Sequence, residues 1–359
     1  PNLAQLENPA VMRAAGCILE NHDGFDKPGV LRGIPHLLGL GLSTKNPFGD
    51  LTAKGITEAL GWSGDGAPVG VIDDGAGGTI ATSGTLRDFA IGAVRQHFTK
   101  TLNRRAGIDF VYPTPTQLDQ LEAFLLSLGP QQDLQLDPTQ PNPLVLRGQL
   151  ASLGQKLFQT KFGETSCDTC HHNAGANAVN GKNINFNTHV ESLPASEQPA
   201  RLIDPSIPKD DGFAGRIRPK SFNVPPLVSA AFTPPFFHNN SINTIESAVG
   251  FYSFAFSPQF FPNVSDQAFQ PSQGFTPTTA QAIAAFIRVI GSLEKIRSSA
   301  SLEARAEDPT ATNSEAIDLL QLAQAELRQG SDVLVQANLH PAAVLSLNSA
   351  IGLLQQAQT

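Results

Sequence analysis

Residues 167–171 read Cys-Asp-Thr-Cys-His, and this short run constrains the fold more tightly than any other stretch of the chain. Cys167 and Cys170 are one helical turn apart, so both sulfurs leave the same side of the backbone. His171 follows directly. This spacing suits two thioether bonds to the vinyl groups of a haem, with the imidazole under the iron. The preceding Gly154-Gln155-Lys156-Leu157-Phe158 matches the amphipathic helix that usually leads into such a turn. A structural zinc site would need four ligands, but only Cys17 remains as a third thiol, and His172 and His189 form no second pair at zinc spacing. A redox dithiol calls for βαβ surroundings, which the sequence lacks. Haem c, held by Cys167, Cys170 and His171, is the expected cofactor.

The rest of the chain reads as short helices joined by long loops. With 27 Pro and 31 Gly, ordered loops should be abundant and strand sparse. Helices are expected over 85–100, 116–128, 144–158, 242–252, 278–296, 314–328 and 341–356. In the second of these, Leu118, Leu121, Phe124, Leu125 and Leu128 fall on one face. Asn313-Ser314-Glu315 opens another with capping residues and an early acid.

An ordered series of matches points to duplication. Thr114-Pro115-Thr116 leads to Ala123-Phe124-Leu125 as Thr276-Pro277-Thr278 leads to Ala285-Phe286-Ile287, and each copy then reaches a glycine, Gly129 or Gly291. Arg32-Gly33-Ile34-Pro35 parallels Phe222-Asn223-Val224-Pro225, and Thr85-Leu86 parallels Thr244-Ile245. The expected fold is therefore mainly α with long loops, as tandem cytochrome c-like domains plus a C-terminal helical extension. The first domain would span 1–130 and the second, with the haem, 144–300. A Pro/Gln/Asp-rich linker over 131–143 would join them, and 301–359 would form the extension.

Composition narrows the function. The formal net charge of -8, without a basic stripe, argues against nucleic acid as a partner. No apolar run has membrane length. Three cysteines are too few for a disulfide scaffold. The chain starts at Pro1 without a leader, so a signal peptide is expected to lie upstream or to have been removed. Covalent haem attachment takes place outside the cytoplasm, which makes the expected location periplasmic or extracellular.

The group opposite His171 decides what the iron can do: six ligands favour electron transfer, and an open face favours oxygen or peroxide. His340, Tyr252, His238 and, more remotely, His189 are the candidates. Met12, the single methionine, lies in the other half, which disfavours a high-potential His/Met haem. Each candidate also has a plain reading: His340 as an exposed cap, Tyr252 as a buried core residue, and His238 as a loop organiser.

At this level the sequence resembles the bacterial di-haem cytochrome c peroxidase superfamily. The resemblance rests on the haem motif followed by Phe222-Asn223-Val224-Pro225-Pro226-Leu227. It also rests on Pro234-Pro235-Phe236-Phe237-His238-Asn239-Asn240-Ser241 running into Thr244-Ile245-Glu246-Ser247-Ala248-Val249. Within that superfamily it is most similar to the rubber oxygenases, through Gly61-Trp62-Ser63-Gly64-Asp65-Gly66-Ala67-Pro68, Leu86-Arg87-Asp88-Phe89-Ala90-Ile91-Gly92-Ala93-Val94 and the Leu339-His340-Pro341 segment.

The resemblance implies a haem oxidoreductase that cleaves polyisoprene double bonds with O₂. Alternatives are a peroxidase reducing H₂O₂ and a single-haem electron carrier without catalysis. It implies His340 as the sixth ligand, with Tyr252 as the fallback, and Trp62 as an electron bridge. Phe89 would stand over an N-terminal catalytic haem, with Ala93, His97 and Gln96 on the same helical face. The implied partners are an alkene polymer or peroxide as substrate, or a small redox protein. The family carries a second Cys-x-x-Cys-His in the N-terminal domain; residues 1–359 have one such motif only. Two explanations stay open: a haem segment lost from the N-terminal side, or a haem-free pseudo-domain.

Overall fold

Threonine begins each of the longer helices but two, and the reason is local. Its hydroxyl accepts from a backbone N–H of the first turn, which would otherwise lack a partner. The structure is a computed structural model that describes residues 32–74, 77–98, 100, 105–162, 166–177, 181–195, 198–203, 205, 207–212, 220–252 and 276–358. Its first half contains α1 (Leu40–Ser43), α2 (Asp50–Ala53), β1 (Val69–Asp73), β2 (Thr79–Ser83), α3 (Leu86–His97) and α4 (Pro115–Leu126). The second half contains α5 (Gln149–Gln159), α6 (Cys167–Cys170), α7 (Pro199–Ile203), α8 (Ile245–Gly250), α9 (Pro277–Ala306), α10 (Asn313–Gln336) and α11 (Pro341–Ala357). Thr85, Thr114, Thr244, Thr276 and Thr312 cap α3, α4, α8, α9 and α10.

The fold is mainly α, as expected, with one antiparallel hairpin pairing Val69 with Ser83 and Asp73 with Thr79. The repeated Thr-Pro-Thr segments do the same work twice. Thr114 and Thr276 are both N-caps with a capping box, and each is followed by a proline in the first turn. The two repeat glycines then differ. Gly129 has φ 73° and lies beyond the end of α4. Gly291 stays inside α9, where an added Cβ would stand 3.1 Å from the Phe232 ring.

Helix α9 is the axis of the second half and is buried on most of its faces between Thr279 and Ser292. Ile283, Phe286, Ile287 and Ile290 face one core, shared with Phe158, Val228, Ile245 and, at its edge, Cys167. Ala285 and Val289 face the other, with Ala151 of α5, Leu327 and Leu334 of α10, and Leu347 and Leu354 of α11. Helix α5 crosses α9 at Gly154, where a Cβ would lie 1.9 Å from the Ala282 carbonyl. No larger residue permits that approach.

Two expectations about organisation are corrected. Residues 131–143 are not a free linker: Leu136 is 1% exposed within the first of these cores, and its backbone is held by Asn173 and Gln159. Polar composition concealed two apolar anchors, Leu134 and Leu136. Nor does a boundary fall at residue 300, because α9 runs on to Ala306 and meets no proline before Pro309. Residues 301–359 pack as part of the second core instead of standing apart.

Helix limits move for similar reasons. Helix α5 starts at Gln149, since 144–148 is extended and carries Leu144 and Leu146 into the core. Helix α8 starts at Ile245, because Ile242 is bridged to Phe236. The first half is built on three smaller cores: Leu51, Ile56 and Ala59; Leu60, Ala67 and Leu86; and Ala90, Ile91 and Leu118. Asparagines join the halves. Asn177, Asn185 and Asn223 donate side-chain N–H groups to the carbonyls of Leu42, Ser63 and Gly61.

Candidate functional site

The Cys-Asp-Thr-Cys run forms the single turn α6, capped by Ser166 through a reciprocal box with Thr169. Both thiols are free of disulfides and partly exposed. Asp168, between them, holds the turn that follows: its carboxylate accepts from Asn173 N–H at 2.8 Å and lies 3.3 Å from His172 Nδ1. The backbone N–H of His171 closes on Cys167 O at 3.0 Å, which places the imidazole immediately past the turn.

His171 Nδ1 lies 3.0 Å from the carbonyl oxygen of Pro225. A carbonyl can only accept, so the Nδ1 proton is present and donated. Burial pushes the His171 pKa down to about 4, which keeps the ring neutral at neutral pH. A neutral imidazole protonated on Nδ1 has its lone pair on Nε2, the form needed to bind a metal. Burial also pushes the Cys167 thiol up to about 12, the opposite of an activated redox cysteine.

Among the described residues, no group of three or more His, Cys, Asp or Glu side chains is arranged to hold a metal ion. The two thiols and the imidazole therefore do not converge on one point, as a tetrahedral zinc site requires. Haem c makes no such demand, since its sulfur bonds go to the edge of the macrocycle and only the imidazole goes to iron. Two thiols and a neutral imidazole are the residue types that would hold a haem c.

Tyr252 follows the end of α8 and is 36% exposed. Burial raises its pKa, and the Cys170 and Cys167 thiols, within electrostatic reach, raise it further. Phe237 and Phe251 pack on its ring, with centroids 6.1 and 5.4 Å away. His340 is the left-handed N-cap of α11, and its ring abuts Gly148 at the start of α5. Phe158, near the other end of α5, shares a core with Cys167. Of the two expected sixth ligands, Tyr252 is the one that lies within electrostatic reach of the cysteines.

Trp62 lies where the halves meet. Its indole N–H donates to Gly33 O at 2.7 Å, and its own carbonyl accepts from Asn223 N–H at 2.6 Å, two residues before Pro225. Phe89 is 37% exposed on α3, with its ring close to Gly66. The backbones of Gln96 and His97 end α3, but their side chains lie outside the described residues, as do Cys17 and Met12. His238 is a loop organiser, as one reading expected: it is 2% exposed, with Nε2 2.8 Å from Glu191 Oε1.

Sequence reasoning missed three contributors. Pro225 was visible in the motif but not its carbonyl's role. Glu191, 4% exposed, belongs to no motif, and the bond of Arg32 to Asp210 at 2.9 Å is revealed only by the fold. Comparison with family models, with curated proteins and with solved structures finds no match to this chain.

Proposed function

We propose that this chain is a c-type haem oxidoreductase acting outside the cytoplasm, with its haem at Cys167, Cys170 and His171 storing or relaying electrons. The observation that carries the reading is the Nδ1–H of His171 donating to Pro225 O, which puts the ring's lone pair on Nε2, in the residue directly after two thiols on one helical turn. The haem would supply one-electron chemistry at iron, with a potential set by its axial groups and surroundings.

The chain's own residues do the rest. Pro225 orients the imidazole and raises its basicity as a ligand. Tyr252 places a neutral phenol within electrostatic reach of the two cysteines and is favoured over His340 as the opposite group. Trp62 links the first half to the segment that holds His171, which suits a bridge for electrons. In the fuller reading, drawn from the resemblance, the two halves are tandem cytochrome c-like domains and the substrate is an alkene polymer cleaved with O₂. A peroxide is the alternative substrate. Phe89 offers an apolar surface in that first half.

A second reading is a single-haem electron-transfer protein that passes electrons to a small redox partner. It is favoured by the single Cys-x-x-Cys-His in residues 1–359. Maturation in a host that attaches haem c, followed by intact-mass haem counting and haem staining after denaturation, tests both. One covalent haem, abolished by Cys167→Ala with Cys170→Ala, is the expected result. A colourless mature protein, or zinc at the turn, would overturn the proposal. Polyisoprene product analysis, set against a peroxide assay with reduced cytochrome c, then separates catalysis from simple transfer.

A further inference from the structure

A buried carboxylate outside the attachment turn gathers several elements around one point. Glu191 Oε1 accepts from His238 Nε2 at 2.8 Å and from Asn239 Nδ2 at 3.0 Å, while Oε2 accepts from Asp210 N–H at 3.1 Å. Three donors on one carboxylate offset much of the cost of burying its charge. His238 is thereby locked, and it makes three further contacts. Its ring stacks on Phe222 with centroids 3.5 Å apart and planes 14° from parallel. Its edge meets the Trp62 indole at 6.5 Å. Its carbonyl accepts from Gly33 N–H at 2.6 Å, and Gly33 O in turn holds the Trp62 N–H. An added Cβ at Gly33 would stand 2.1 Å from Asn240 Oδ1, so the loop after His238 closes directly over it.

Phe222 begins the strap whose next residue bonds Trp62 O and whose Pro225 carbonyl orients His171. We propose that Glu191 and His238 are a positioning pair that fixes, from one buried point, both the indole of Trp62 and the strap that orients His171. The His171 half of this inference rests on the haem reading above; the Trp62 half does not.

The test uses the mature full chain and its single tryptophan. Ultraviolet resonance Raman reads the Trp62 N–H directly, and its exchange in D₂O gives a rate. Glu191→Gln places an amide donor against one of three donors. It is expected to speed indole exchange about tenfold, the factor that loss of one buried hydrogen bond supports. It is also expected to raise the haem midpoint potential, because a weaker Nδ1–H bond makes a less basic ligand. Phe222→Leu removes the stacking platform, leaves the carboxylate network intact, and is expected to move both readouts the same way. Glu315→Gln, at the remote cap of α10, is expected to move neither.

Unchanged exchange and potential in Glu191→Gln and Phe222→Leu, with only a lower melting temperature, would reduce the pair to structural packing and overturn the inference. If Glu191→Gln does not fold, Phe222→Leu decides alone. If the wild-type chain carries no covalent haem, the haem reading fails while Trp62 exchange still judges the pair.

Discussion

An imidazole serves as a metal ligand only when it is neutral and carries its lone pair on one ring nitrogen, and His171 meets both conditions without help from a charged neighbour. Burial keeps the ring neutral, and the Pro225 carbonyl fixes the proton on Nδ1. Tyr252 and His340 then make a sharp comparison at the opposite face. Tyr252→Phe is expected to change the haem absorption and spin state, since the phenol is within electrostatic reach of Cys167 and Cys170. His340→Ala is expected to leave the spectrum unchanged and to alter only the packing against Gly148. The reverse outcome, seen in the visible spectrum or by electron paramagnetic resonance, would restore His340 as the ligand. The helical turn at Cys167–Cys170 itself was legible in five consecutive residues because it is local. Its Pro225 partner, 54 residues away, was not, because a carbonyl acceptor leaves no mark in a sequence.

At the scale of elements, the caps were the most legible feature and the helix ends the least. Threonine followed by proline identifies the start of α4 and α9 from local chemistry alone. Thr276→Ala should cost about 1 kcal/mol in chemical denaturation, through one lost cap. Where α9 stops depends on what covers it, and that is a tertiary matter. The contact of α8 with α9 adds a pH dependence. Arg288 reaches Glu246 with two guanidinium hydrogen bonds, one at 2.9 Å, and holds the Glu246 carboxyl below its ordinary 4.5. A depressed carboxyl stabilises the fold fully above 4.5 and loses that contribution as pH falls toward its lower folded value. The pair is partly exposed, so its worth is below about 1 kcal/mol after solvent screening. Arg288→Gln should therefore flatten the loss of stability below pH 4.5, measured as denaturation midpoints along a pH series.

For the whole molecule, the decisive fact is that one helix serves two cores. Phe286, fully buried against Phe158 at 5.2 Å, fills the core that Cys167 borders, so Phe286→Ala should cost about 3–5 kcal/mol in denaturant unfolding. Ala285, on the neighbouring position of the same helix, is covered by the segment that the sequence set apart as an extension for want of a counterpart in the first half. Amphipathic spacing in 314–328 and 341–356 announced helices but gave no address for their apolar faces, because the complementary face lies on α5 and α9. Deleting 301–359 removes Leu327, Leu334, Leu347 and Leu354 and uncovers Ala151, Ala285 and Val289. It also leaves Lys295, 8% exposed and paired with Glu326 at 3.1 Å, without its partner. The shortened chain is expected to lose protease protection along α5 and α9 and to take up covalent haem poorly, since α5 leads into the attachment turn. Full protection and full haem loading in that deletion would show that the second core is dispensable. Helix α9 would then be held by the Phe158–Phe286 side alone.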